Sequence, residues 1–456
     1  MIEKWNFRSI YRYGLTSTLF FLISTFLPGQ KVDDTLPSEV TLIQCINYAL
    51  ANQPLIKQSL IDEDITKREI NISLSGWYPQ IEFDGYAQRY LRIPTASYPS
   101  TSDPSGPNVQ YPSTAKYVSS GLLSANQNLY NSDLFFAIKN SRDLRNQASE
   151  NTEHSKINVY VNVTKAFFDV LITEEQLKVL DEDINRLQHN YKDAYNLYLE
   201  GLTDNIDFQR AAISLSNSRA QRKSTEEAIK AKYSVLKKFI GVNPEKQLAV
   251  LYDSSEYENE ILIDTAKVLD YRNRVEYRLM QSALNLQSSE ISYLKLSFLP
   301  DLSAFYNYIP KYSDNQLSDL YNKNNPSSLI GLKLTFPLFQ GMNRIENLSR
   351  AKLQYNRLQL GMDYLENEMS SEYTTALAAY KSNLNELRIA KENISIARNI
   401  FNTVKLQYQK GIKAYLEVIV SETDLRTAEI NYLNILFQVL ASKIDLEKAL
   451  GIIQII

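Results

Sequence analysis

YLEGLTDNIDF at 198–208 and YQKGIKAYLEV at 408–418 decide how this chain is read, because each sets one glycine between two stretches of helical periodicity. Upstream of the first, Leu180, Ile184, Leu187, Tyr191, Ala194 and Tyr198 step by four and three residues. Upstream of the second, Ala390, Ile394, Ala397, Phe401, Val404 and Tyr408 do the same. Such a step is the seam of helices that coil about one another left-handedly. A glycine that ends the seam, with a second helical pattern three or four residues later, predicts a helical hairpin, since glycine tolerates the left-handed conformation that reverses the chain.

The two segments are copies. A shift of 210 residues superposes Gly201 on Gly411, Gly241 on Gly451, Tyr198 on Tyr408, Leu215 on Leu425, Leu236 on Leu446 and Lys238 on Lys448. Any two coiled coils share a seam, but not the glycines at both ends of the following helix. The chain therefore reads as an internal tandem repeat, residues 31–245 and 246–456.

Each repeat runs helix, strand, loop, strand, long helical hairpin. In the first, a helix over 40–76 with Thr41 as N-cap gives way at Pro79 to a period of two. Ile81, Phe83, Gly85 and Ala87 take one face, and Gln80, Glu82, Asp84 and Gln88 the other. A Pro/Ser/Thr-rich loop, 94–112, leads to a second strand. In the second repeat a helix over 264–297 stops before Pro300, and Leu302, Ala304, Tyr306 and Tyr308 then alternate with Asp301, Ser303, Phe305 and Asn307. After a polar loop over 311–327, Ile330, Leu332, Leu334 and Phe336 form an apolar face opposite Gly331, Lys333 and Thr335. The predicted strands are 79–92, 116–127, 300–310 and 328–337. Each is about the ten residues that a tilted strand needs to cross a bilayer.

Composition agrees with an elongated helical chain. Its 456 residues include only 13 Gly and 14 Pro, and single cores rarely grow past ~300 residues. Lys and Arg number 49 against 52 Asp and Glu, which removes the basic footprint of a nucleic-acid binder. Past the N-terminus no apolar run is long enough for a membrane-spanning helix. Lys4, Arg8 and Arg12 precede an apolar core at Leu15–Leu27, so residues 1–30 read as a secretory signal peptide. Two His and one Cys leave little for a transition-metal site, and no cofactor is indicated. Cys45 lies in a helical pattern as a small buried residue, and an exported chain with one Cys has no intrachain disulfide. The 31 Tyr suit surfaces apolar on one side and wet on the other.

No enzyme is indicated, since the minimal parts of nucleotide, zinc-protease and serine-hydrolase sites are missing. His154 and His189 read as ordinary helix-surface residues. The acidic runs at 62–64 and 181–183 read as solvated helix faces.

Four strands cannot close a barrel, and open sheet edges cannot sit in lipid because their N–H and C=O groups lack partners. Copies must complete it: three supply twelve strands, whereas two supply eight and little lumen. A helix from Asn343 to Lys410 would be about 100 Å long, at ~1.5 Å per residue.

VTLIQCINYALANQPLIKQS (40–59) resembles the opening helix of the TolC-type outer-membrane efflux proteins. WYPQIEFDG (77–85), FLPDLSAFY (298–306), FPLFQG (336–341) and the two glycine turns resemble the same family, over about residues 38–451. One departure is Asn128, where the second repeat and the family have Pro (Pro337 here). It leaves open how that strand ends. The resemblance implies a mostly α fold with a small β part: a long α-helical coiled-coil hairpin tunnel, plus four strands per chain contributing to a trimeric 12-stranded β-barrel. It implies a homotrimer in the outer membrane of a Gram-negative bacterium, in contact with its lipid and extending into the periplasm. There it serves as the passive exit duct of a tripartite efflux or type I secretion system. Its partners would be a periplasmic adaptor and an inner-membrane pump, and not nucleic acid. The other reading is a periplasmic or surface coiled-coil scaffold without transport activity, which would neither form heat-modifiable trimers nor partition with the outer membrane.

Function is expected at the turns. Asp207 and Glu417 each lie six residues after their glycine, so copies around an axis would ring the tunnel entrance with carboxylates that attract cations. Family members carry an acidic ring here, though Val420 stands where many have a second acid. The resemblance also makes Gly201, Leu202 and Thr203, with Gly411, Ile412 and Lys413, the tips that meet the adaptor. It further suggests a Lys413–Asp207 contact, within or between subunits, that holds the entrance closed.

Overall fold

Thr41 starts the first helix with a capping box: its side chain accepts from the Gln44 backbone, and Gln44 Oε1 accepts from Thr41 N at 3.0 Å. The computed structural model describes residues 36–98, 108–251 and 261–453. The expected signal peptide and the middle of the Pro/Ser/Thr-rich loop lie outside them. The elements below all belong to one unit, Ser38–Ile456.

The helices are α1 Leu42–Asn52, α2 Pro54–Leu74, α3 Ser132–Leu199, α4 Asn205–Ile240, α5 Val275–Leu296, α6 Asn343–Gln409 and α7 Tyr415–Leu450. The single helix expected over 40–76 is thus two. Pro54 has no N–H to donate and holds Gln53 extended, while the Gln53 side chain accepts from Ile56 N at 3.2 Å and restarts the helix. Cys45 and Ala49 of α1 are fully buried, and burial pushes the Cys45 thiol up to about 12. A second correction falls in the later repeat, where the helix begins at Val275 and not near 264. Asp270 accepts from Arg272 N at 3.0 Å to form a 3₁₀ turn. The extended backbone before it is satisfied from α6, whose Tyr373 and Tyr380 hydroxyls donate to the carbonyls of Lys267 and Ile261 at 2.9 and 2.7 Å.

The strands are β1 Glu39–Val40, β2 Gln80–Arg89, β3 Thr95–Tyr98, β4 Val109–Pro112, β5 Tyr117–Tyr130, β6 Ala249–Val250, β7 Asp301–Ile309, β8 Lys311–Asp314 and β9 Ser327–Thr335. Parallel pairing of β1 with β6 ties the start of α1 to the chain that leaves α4. The main sheet runs β2-β5-β7-β9, antiparallel throughout. Its register carries the alternation across all four strands. Phe83 faces Leu123, Leu123 faces Tyr308, Tyr306 faces Ile330, Ala304 faces Leu332, and Leu302 faces Leu334. Ser124, Asn307, Ser303, Lys333 and Thr335 lie on the opposite side. Phe305 is also there, and it fits because Gly331 opposite has no side chain to meet it.

Three details differ from expectation. The loop over 94–112 contains a short hairpin, β3 with β4. The loop over 311–327 begins as strand, because β8 continues past Pro310 and pairs with β5. With Asn128 in place of Pro, β5 keeps pairing to Tyr130 through a register shift, and the Asn128 side chain donates to Gly76 O at 3.1 Å. The second repeat, which has Pro337, stops its strand at Thr335.

Long helices carry the rest. α3 and α6, of 68 and 67 residues, each fold back on a 36-residue partner, α4 or α7. α3 packs on α2, α4, α5 and α7, and α6 packs on α5 and α7. Among the described residues no helix is long and apolar enough to cross a membrane.

Candidate functional site

Both hairpins turn by the same hydrogen bonds. Gly201 and Gly411 each sit at φ +71°, with Leu202 N donating to Leu197 O and Ile412 N to Gln407 O, both at 2.9 Å. This is the Schellman arrangement, which satisfies carbonyls that the helix end leaves free. It projects Leu202 and Ile412 outward, 67% and 70% exposed. Thr203 and Lys413 are half-buried beside them. Asp207 and Glu417 lie in the first turns of α4 and α7, where the helix dipole favours a carboxylate. Lys413 Nζ contacts Glu417 Oε2 at 2.6 Å. Within the chain, therefore, Lys413 pairs with the first turn of the helix that it precedes and not with Asp207.

Above the tips one core joins the two hairpins. Ala194 and Ala211 of the first pack with Ala397, Phe401, Tyr415, Val418 and Leu425 of the second. The Tyr408 and Tyr415 rings lie 5.3 Å apart, and each buried hydroxyl lacks a hydrogen-bond partner. Burial raises the pKa of both phenols; at Tyr415 the Glu422 carboxylate comes next, and Asp207 and Asp193 add to the effect at both.

Further up, where α3, α4 and α7 meet, sequence reasoning missed a buried ionic cluster. Asp183 and Glu422 are 1% and 2% exposed. Ser218 donates to Asp183 Oδ2 at 2.7 Å, Arg426 Nη1 lies 3.3 Å from the same oxygen, and Asn190 donates to Glu422 Oε2 at 2.8 Å. Arg186 reaches Asp183 and Glu422 at 3.5 Å and Glu429 at 4.0 Å, while Arg398 of α6 holds Glu429 at 2.9 Å. The expectation of a solvated face at 181–183 fails at Asp183. α3 has a partner on each side, so it buries a second stripe beside the Leu180–Ile184–Leu187 seam. The signal was available in the spacing of Asp183, Asn190 and Ala194 along that stripe.

The fold and the tips define a wall, with an apolar-faced sheet at one end and two tandem helical hairpins at the other. That is the build of a channel subunit. The model of the outer membrane efflux protein family matches residues 45–242 and 274–452, and the chain belongs to that family, whose members are channels and not enzymes. It is 22% identical to the outer membrane protein TolC of Vibrio cholerae over 437 residues, 91% of this chain and 92% of that one. Among solved structures, CusC superposes with a TM-score of 0.74 at 16% identity, covering 90% of this chain and 92% of its own. VceC of Vibrio cholerae superposes with a TM-score of 0.70 at 13% identity, covering 90% and 96%.

Proposed function

We propose that three copies of this chain form the passive exit duct of a tripartite efflux or type I secretion system, a twelve-stranded barrel continuous with a periplasmic helical tunnel. The observation that carries this reading is the sheet. Its apolar face is continuous over four strands, yet β2 and β9 each have only one partner strand among the described residues. Pairing β9 of one copy with β2 of the next removes both edges.

The helices support the same closure. Within the chain, α3 of the first repeat meets α7 of the second, and Lys448 Nζ donates to Asn158 Oδ1 at 3.1 Å. Shifted by 210 residues, the counterpart is α6 against α4 of the partner subunit, with Glu368 opposite Lys238. Glu368 lines an open groove between α6 and α7, together with Thr375, Ala379, Ser442 and Asp445. A Glu368→Cys/Lys238→Cys double variant is expected to give covalent trimers on oxidation. Monomers linked to nothing would leave the ring without this seam.

At the entrance, Glu417 supplies one carboxylate per copy, partly neutralised by Lys413, and the tips at Gly201–Thr203 and Gly411–Lys413 receive a periplasmic adaptor coupled to an inner-membrane pump. The Lys413–Asp207 contact then forms between subunits. A partly exposed pair contributes ~0.2–1 kcal/mol, so three copies contribute ~0.6–3 kcal/mol, enough to bias opening yet weak enough for an adaptor to overcome. In planar bilayers Asp207→Ala should raise conductance. Lys413→Ala should raise both conductance and cation preference, because it also frees Glu417, and Glu417→Ala should weaken cation preference. Unchanged conductance in the first two would eliminate the contact.

A further inference from the structure

The cluster around Glu422 sits two turns into α7, about 10 Å from its first residue Tyr415 at ~1.5 Å per residue. It joins repeat to repeat, because Asp183, Arg186 and Asn190 belong to α3, Ser218 to α4, and Glu422, Arg426 and Glu429 to α7. Separating the second hairpin from the first exposes these groups to water. Their pairing is uneven. Asp183 has Ser218, Arg426 and Arg186, whereas Glu429 has Arg398 on Oε1 and only Arg186, at 4.0 Å, near its buried Oε2. Glu422 has one good donor, Asn190, on Oε2, while its buried Oε1 has no hydrogen-bond donor and meets only Arg186 Nε at 3.5 Å. A buried carboxylate oxygen without a donor, close to a second buried carboxylate, is a place for a proton.

We propose that Glu422 is a proton-operated lock between the two repeats: protonated, it holds the tunnel wall closed, and ionised, it favours separation of the second hairpin from the first. The lock rests on the duct reading above. Burial first, and then the Asp183 carboxylate, raise the Glu422 pKa to about 7 from an ordinary value of 4.5, against the opposing effects of Arg186, Asn190 and the more distant Lys405 of α6. Once the hairpins part and water reaches the group, it returns to the ordinary value. The closed arrangement therefore binds the proton more tightly. It gains as pH falls from about 7 toward 4.5 and loses that gain as pH rises through about 7.

Only the contact within each chain carries this device. The positions related by 210 residues, which face each other across subunits in the proposed ring, are Asn393, Ile396, Ile400, Ala212, Ser216 and Arg219, and none is a carboxylate. A trimer thus holds three locks, all between a second hairpin and its own first.

Planar-bilayer recordings of the full-length trimer across this range test it. The closed-to-open ratio of the wild type is expected to be about tenfold higher per chain at about pH 6 than at about pH 8. Glu422→Gln, a fixed neutral stand-in that keeps an acceptor for Asn190, should stay closed at both. Asp183→Asn removes the neighbouring charge and should move the midpoint to lower pH. A wild type indifferent to pH, or a Glu422→Gln variant with the wild-type profile, overturns the lock. Should that variant not assemble into heat-modifiable trimers, an unshifted Asp183→Asn midpoint overturns it equally. Failure of the wild type to conduct at any pH would instead sink the duct reading.

Discussion

Arginine at Leu332 is expected to remove the protein from the outer membrane as an assembled trimer, whereas arginine at Thr335 leaves it in place. Leu332 lies opposite Ala304 in the register, between the Ile330–Tyr306 and Leu334–Leu302 pairs, at the middle of the apolar face. It is 69% exposed in the chain, with no protein layer over it. An exposed apolar face of this extent needs a cover, and in the proposed trimer, where further copies would close the edges of the sheet, the cover is lipid. A guanidinium at mid-depth on a lipid face costs ~2–4 kcal/mol. Three copies in one barrel raise this to ~6–12 kcal/mol, comparable with the whole stability of an ordinary domain. Thr335 lies on the other side, opposite Asp301, where a long cation faces water and a carboxylate. Heat-modifiable trimers in the outer-membrane fraction report the difference. Cysteine scanning gives an independent check, since aqueous labelling at position 332 with protection at 333 would reverse the two faces.

Periodicity made most of this architecture legible. A seam of three-and-a-half residues and a period of two each report which side of an element is dry, so the long helices at Ser132–Leu199 and Asn343–Gln409 and the faces of β2, β7 and β9 could be read directly. What stayed hidden depended on a third element. The extended stretch before Val275 looks helical in isolation and is held open by two tyrosine hydroxyls more than a hundred residues away. Asp183 reads as surface because one seam was assigned to a helix that has two neighbours. Local pattern also said that Asp207 and Glu417 share a position, and the i,i+4 spacing of Lys413 and Glu417 was itself a signal for the pair that forms. The ionic cluster shows only in part: the spacing of Asp183 and Asn190 marks its stripe on α3, but its other members come from α4, α6 and α7.

Valine in place of Gly201 and Gly411 together is expected to abolish export while trimers form normally, and valine at Gly241 or Gly451 to abolish the trimers themselves. The four glycines have the same left-handed backbone, with φ between +66° and +80°, and at each the next residue's N–H closes the helix on the carbonyl five residues before it. Each substitution therefore carries the same conformational penalty, ~1–2 kcal/mol for a side chain held in the left-handed region. Their surroundings differ. A Cβ at Gly201 or Gly411 would meet nothing within 4 Å, whereas one at Gly241 lies 3.0 Å from Gln53 Cα and one at Gly451 lies 2.9 Å from the Asn273 backbone. At the second pair the helix end is pressed against the junctions that open α2 and α5, so the added carbon displaces main chain. At the tips the chain itself gives no reason for a small residue beyond the turn. A loss of export there, with trimers intact, assigns the cost to something outside the chain that approaches Leu202 and Ile412 closely, as an adaptor tip would. Export at the wild-type level in the double tip variant, with its usual dependence on the pump, would place adaptor docking elsewhere on the hairpins and leave the tip glycines with a purely local role.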